Sequence, residues 1–314
     1  MVASGMEPNP VTHAAMIYLC SRKKEHFNTA IQYYDQMKLL DFPIHLRVHN
    51  YMLQGCSKVA DVDRAITLWN DLISSKLQPN EISLSSVLWA LASAEAMECK
   101  ISKRAFYYNM KPEEISSIAT DIFNQGKNSL GIPYNSHIAN GYLAVLCNNL
   151  QQAAAEAFFQ NGMVDSMQRT QHSYELMFKM YDSLKQLEPA KALKLQMDTE
   201  GLVSPFEGWR ALIRTAALAD QPDLSLQYLK EMLEKGYQPS IDDLRTVFMR
   251  VCELRRFDLK PQMEALCLKP PTGPKDVFKG WRQRSVELQK LFNSIYENSP
   301  HRPKLATNTE RSRN

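Results

Sequence analysis

The sequence is short of glycine, with 11 in 314 residues. Chains built on β-hairpins need glycine at their tight turns. Its scarcity, beside abundant Leu, Ala, Gln, Lys and Glu, points to helices. Long apolar runs are also missing. Mean hydropathy is −0.37, and no stretch reaches the roughly 20 apolar residues of a membrane-spanning helix. Membrane insertion is therefore not expected. Charge of one sign is lacking too: 37 basic residues face 34 acidic ones, a net +3. That balance names no polyanionic partner by itself. The six cysteines (Cys20, Cys56, Cys99, Cys147, Cys252 and Cys267) are scattered and form no C-x-x-C. They read as reduced, buried thiols. The first ten residues have neither the basic start nor the apolar stretch of a signal peptide.

Chemistry-bearing motifs are equally scarce. The sequence has no H-x-E and no Gly-rich phosphate loop, and its C-terminal part has only four scattered acids where a metal-dependent nuclease would need a cluster. His45 and His49 stand at i, i+4 without further metal ligands. The chain is therefore expected to be no enzyme, and to hold no metal, cofactor or small-molecule substrate. A hydrophobic fraction of 44% excludes disorder throughout.

What is present is repetition. The chain matches itself at a period of 35, in ungapped blocks 11–45, 46–80, 136–170, 171–205 and 206–240. Block 81–135 adds 20 residues to the period, and a weaker copy occupies 241–275. The seventh column reads Ile17, Met52, Val87, Tyr142, Met177, Leu212 and Val247, all apolar. The twentieth reads Ala30, Ala65, Ala155, Ala190 and Ser225, all small. The twenty-seventh holds Met37, Leu72, Met197 and Met232, with Gly162 the exception.

Within block 46–80, Val48, Tyr51, Met52 and Gly55 recur at helical spacing, as do Ala65, Leu68, Trp69 and Leu72. The polar stretch Lys58-Val59-Ala60-Asp61 separates them as a helix–helix turn. Pro79 is expected to stop one block's second helix, and Gly236 followed by Pro239 to stop another's. A single helical hairpin cannot bury both of its apolar faces, whereas stacked hairpins can. The predicted fold is thus all-α: a right-handed α-solenoid of about seven helix-turn-helix repeats.

The block endings Lys76-Leu77-Gln78-Pro79-Asn80 and Gly236-Tyr237-Gln238-Pro239-Ser240 resemble the close of the pentatricopeptide repeat. Ala at the twentieth position, Met near the twenty-seventh, and Val48-His49-Asn50-Tyr51-Met52-Leu53-Gln54-Gly55-Cys56 in a first helix are similar to that family too. The resemblance spans about residues 1–270. Met1–Asn9 also fits the last nine positions of a repeat. This predicts that the chain starts inside a repeat and that Met1 is an internal methionine of a longer protein.

The resemblance implies single-stranded RNA as partner, one base per repeat. The fifth residue of a repeat would reach the base edge, aided by the last. The candidate pairs are Asn50 with Asn80, Ser85 with Asn135, Asn140 with Thr170, and Arg210 with Ser240. Asn50/Asn80 resembles a pyrimidine reader and Ser85/Asn135 a purine reader. Ala15/His45 and Glu175/Pro205 depart from the family's combinations. The second residue, which in the family wedges between bases, is Ile82 in one block and Arg47, His137, His172, Glu207 or Asp242 elsewhere.

Residues 275–314 hold nine basic and four acidic residues, a surplus of five. With a total of +3, the other 274 residues carry −2. Phosphate affinity is therefore expected to draw on the C-terminal part. The solenoid is assigned to 1–275, a capping helix to 276–298 with Arg282 and Arg284, and a disordered basic tail to 299–314. The insertion, about 95–114, sets Lys100, Lys103 and Arg104 around Tyr107, residue types that suit an RNA backbone, unpaired bases or a protein partner. The resemblance places the chain in the mitochondrion, or else a plastid, acting in RNA processing, stability or translation. The second reading is a protein-binding solenoid subunit of a mitochondrial ribosome or another ribonucleoprotein.

Overall fold

The computed structural model describes residues 8–75, 77–93, 110–163, 169–267 and 281–297. Lys100, Lys103, Arg104 and Tyr107 lie outside the described residues, as do residues 298–314 and the side chains of Arg282 and Arg284. Among the described residues the chain is helical, with no strand. It divides into two compact units, one ending at Met180 and one starting at Tyr181.

In the first unit α1 (Pro10–Ser21) pairs with α2 (Phe27–Leu39), and α3 (Leu46–Val59) with α4 (Val62–Ser74). Next, α5 (Glu81–Ala92) pairs with α6 (Pro112–Asn124), and α7 (Ser136–Asn148) with the short α8 (Gln152–Ala157). The division falls inside α9 (Gln171–Ser183). The second unit holds α10 (Leu187–Thr199), α11 (Phe206–Leu218), α12 (Pro222–Glu234), α13 (Ile241–Glu253), α14 (Lys260–Cys267) and α15 (Trp281–Glu297). The first helix of every 35-residue block starts within one residue of the block's own start. First helices also pack on first helices: α1 on α3, α3 on α5 and α5 on α7 in one unit, α11 on α13 in the other. This stacking of consecutive hairpins is the α-solenoid class of fold.

The repeating columns are the core. Ile17, Met52, Val87, Tyr142, Met177, Leu212 and Val247 are all buried, and so are Ala30, Ala65, Ala155 and Ala190. Ser225, the polar member of that small column, donates to the Ile213 carbonyl at 2.8 Å, so its hydroxyl is satisfied inside the core. Met37, Leu72, Met197 and Met232 are buried as well. Each large side chain removed from water in this way contributes about 1.5–3 kcal/mol.

The turns hold one surprise. Ala60, Leu150, Lys185, Asp220 and Arg255, the fifteenth residues of their blocks, all have positive φ, between 56° and 61°. Left-handed backbone thus closes the hairpins without glycine. At the thirty-first position Gly131, Gly201 and Gly236 take φ of 62°, 72° and 83°, and Asp41 takes 50°. Gly236 thus ends α12 as expected. Pro79 does not end its helix, because α4 stops at Ser74, five residues earlier. Pro79 belongs to the connection into α5.

In the last helix, Leu288 and Phe292 are buried. Phe292 packs on Phe248 of α13 with ring centroids 4.5 Å apart and planes tilted by 32°. Cys56, Cys147 and Cys252 are buried free thiols and Cys20 is partly exposed. Burial pushes the Cys56 and Cys147 thiols well above the ordinary range, so neither is held as a thiolate.

Candidate nucleic-acid interface

The fifth and last residues of a block meet because one lies on a first helix and the other is the N-cap of the next first helix. Asn80 caps α5: its Oδ1 accepts the backbone N–H of Ser83 at 3.1 Å, while the Ser83 hydroxyl accepts the backbone N–H of Asn80 at 3.2 Å. This reciprocal box satisfies donors that a helix start leaves open. Asn50, on α3, joins it. Its Nδ2 donates to Asn80 Oδ1 at 3.2 Å, and its Oδ1 accepts from the Ser83 hydroxyl at 2.7 Å.

Similar wiring recurs four helices later. Asn140 Nδ2 donates to Thr170 Oγ1 at 2.9 Å, and Ser173 donates to Asn140 Oδ1 at 2.6 Å. Thr170 N–H in turn donates to the Ser173 hydroxyl at 3.0 Å. Asn50 and Asn140 are each only 5% exposed. After these bonds each amide keeps one N–H and one lone pair for another partner.

The intervening pair is wired differently. Ser85 donates to the Ile82 carbonyl at 3.2 Å. Asn135 caps α7 through Ile138 N–H at 2.9 Å and donates to Glu81 at 2.7 Å. On the same helix, Ile82 is 47% exposed for an apolar side chain. Ala15 and His45, of the first block, line an open cleft of about 580 Å³ together with Tyr18, Arg47 and Tyr51. Glu175 is held by His172 Nδ1 at 3.0 Å.

Arg210 and Ser240 meet through a residue that sequence reasoning overlooked. Asp243, fully buried, accepts Arg210 Nε at 3.1 Å and the Ser240 hydroxyl at 2.5 Å. Arg214 adds a third contact, 3.6 Å from Asp243, and also binds Asp182 at 3.1 Å. Arg210 reaches Glu207 at 3.0 Å as well. Desolvation raises the Asp182 carboxyl above its usual range, against the pull of Arg214 and Arg210. Arg256 pairs with Asp223 at 2.6 Å, and Arg250 pairs with Asp220. The arginines of this stretch are thus partnered within the unit.

Sequence reasoning also overlooked Ser83, Ser173 and Trp89. A signal for the first two was present. The third column is polar where the preceding fifth residue takes part in such a circuit (Asn50 then Ser83, Asn140 then Ser173, Arg210 then Asp243), and reads His13, Val48, Ile138 or Gly208 elsewhere. Trp89 lies with its ring 5.7 Å from both His137 and His172, the second residues of the next two blocks. Among the described residues, no group of three or more His, Cys, Asp or Glu side chains could hold a metal ion. No helix there is long and apolar enough to cross a membrane.

Fold and circuit together define a helical-repeat protein of the α-solenoid class. Residues 47–77 of the chain match the family model "PPR repeat". Its fold is similar to the crystal structure of the pentatricopeptide repeat protein PPR10 from maize, at 16% identity and a TM-score of 0.51, over 95% of this chain and 46% of that one. The same protein in complex with an 18-nt psaJ RNA element matches at 16% identity and a TM-score of 0.51, over 96% and 46%. The chain therefore spans about half the length of the structures it matches. No curated protein matches it.

Proposed function

We propose that this chain binds single-stranded RNA along the first helices of its N-terminal unit, with α3, α5 and α7 offering Asn50, Ser85 and Asn140 to successive bases. The observation that carries this reading is the parallel wiring of the fifth-residue amides at Asn50/Asn80 and Asn140/Thr170. Two polar amides are oriented the same way in two repeats, each with spare donor and acceptor capacity. The structure of PPR10 with an RNA element supports the choice of ligand. The protein acts by occupying a transcript, and so aids its processing, stability or translation, without chemistry of its own. Its place is the mitochondrion, or a plastid. Lys100, Lys103, Arg104, Tyr107, Arg282 and Arg284 are proposed to add backbone or partner contacts.

One observation favours a second reading, a protein-binding subunit of a mitochondrial ribosome or another ribonucleoprotein. In the C-terminal unit, Arg210, Arg214, Arg250 and Arg256 are committed to carboxylates, which leaves less positive charge for phosphate. The two readings part in a salt series. Filter binding of the full chain to random single-stranded RNA should give micromolar or tighter affinity that falls steeply with salt. No binding at low salt rejects the RNA reading. Asn50→Ala and Asn140→Ala should then lower base preference more than total affinity.

A further inference from the structure

We infer that Ser83 and Ser173, each on the first helix of the following repeat, are positioning residues that fix which way the Asn50 and Asn140 amides face, and thereby set the base preference of those two repeats. This rests on the RNA reading above and adds residues outside the fifth and last positions.

The orientation follows from backbone donors. Ser83 N–H donates to Asn80 at 3.1 Å, so the atom it meets must be the acceptor Oδ1. Asn50 also bonds to that oxygen and can do so only through Nδ2. Its other amide atom is then Oδ1, and it needs a donor. Ser83 supplies one: its hydroxyl accepts Asn80 N–H and sends its own proton to Asn50 Oδ1 at 2.7 Å. A flip of the amide would set Asn50 Oδ1 against the acceptor Asn80 Oδ1 and would lose the 2.7 Å bond from the Ser83 hydroxyl, whose proton has Asn80 Oδ1, at 3.1 Å, as its other acceptor. At the second site the Ser173 hydroxyl accepts Thr170 N–H at 3.0 Å and sends its proton to Asn140 Oδ1 at 2.6 Å, while the Thr170 hydroxyl, which can donate or accept, takes Asn140 Nδ2 at 2.9 Å; the short serine bond sets the orientation there.

A third repeat shows the complement. There the fifth residue is Arg210, which only donates, and the corresponding residue is Asp243, which only accepts. Polarity at the third position is therefore matched to the fifth residue of the repeat before. Ser83 and Ser173 are fully buried, so they act on RNA through the asparagines and not by touching it.

The test is selection of a randomised single-stranded RNA pool by the full chain, with enriched bases read by sequencing. The native chain should enrich the two base positions that face Asn50 and Asn140, with one nucleotide, opposite Ser85, between them. Asn50→Ala should abolish preference at one of them. Ser83→Ala should lower it about fivefold at that same position, the value of one hydrogen bond, with total affinity changed less than about threefold. In Asn50→Ala/Ser83→Ala the serine change should add nothing, because it works through Asn50. Ser83→Thr, which keeps the hydroxyl, should restore preference, and circular dichroism confirms that each variant folds. Loss of affinity for all sequences alike, an additive double variant, or unchanged preference in Ser83→Ala while Asn50→Ala loses it would overturn the positioning role and leave RNA reading intact. A native chain that binds no RNA overturns both.

Discussion

Replacing Asp243 with Asn tests the ion-paired node of the C-terminal unit. The swap keeps shape and removes charge. In the native chain the carboxylate is fully buried, with Arg210 Nε at 3.1 and 3.3 Å from its two oxygens and the Ser240 hydroxyl at 2.5 Å. Stripping one partner from a fully buried ion pair costs about 3–5 kcal/mol. Two features reduce that figure. The Arg210 and Arg214 side chains are 28% and 30% exposed, so water recovers part of their charge. Each also keeps a second carboxylate, Glu207 at 3.0 Å and Asp182 at 3.1 Å. The expected loss is therefore about 2–3 kcal/mol, read as a lower urea midpoint by circular dichroism. Asp242→Asn is the control: its side chain is 76% exposed and meets only Arg245, at 3.2 Å, among the ion pairs, so it should change stability by less than about 0.5 kcal/mol. If the two variants lose the same amount, Asp243 is no buried node, and the account of why Arg210 is held away from a ligand fails with it.

Other outcomes follow from the same geometry. Gly236→Ala should cost about 1 kcal/mol, because φ of 83° strains any L side chain although no atom lies within 4 Å of the new Cβ. Lys185→Gly, at φ of 57°, should be neutral or stabilising by up to about 1 kcal/mol; a clear loss would show that the Lys185 side chain matters more than its backbone. Burial holds the His49 imidazole below its ordinary range. The unfolded chain then takes up the proton first, so this residue's share of stability is full above about pH 6.5 and is lost as pH falls toward the lowered folded value. His49→Gln should flatten that part of a urea-midpoint profile between pH 7.5 and 5.5, and an unchanged slope would assign it elsewhere. In the folded chain Cys20 should be alkylated well before Cys56 and Cys147, as peptide mass spectrometry can follow; equal rates would contradict their burial.

The sequence by itself determined the hairpins and their period. The columns of Met52, Ala65 and Leu72 and their counterparts are the ones buried, because a stacked hairpin needs the same apolar and small residues at each crossing, and this demand repeats along the chain. Gly201 and Gly236 were equally legible, since a left-handed terminus favours glycine. The left-handed turns at Ala60, Leu150 and Lys185 were not, because there the tertiary stack imposes a conformation that no residue type announces. Nor did the columns show what the polar residues do. Asn50, Asn140 and Arg210 looked alike as exposed readers on a first helix. Only the docking of the next repeat decided that two are amides oriented by a serine and the third is an arginine spent on a buried aspartate. Hydrogen bonds and ion pairs are directional and close over only a few ångströms, so their partners are set by how the helices pack and not by the spacing of residues along the chain.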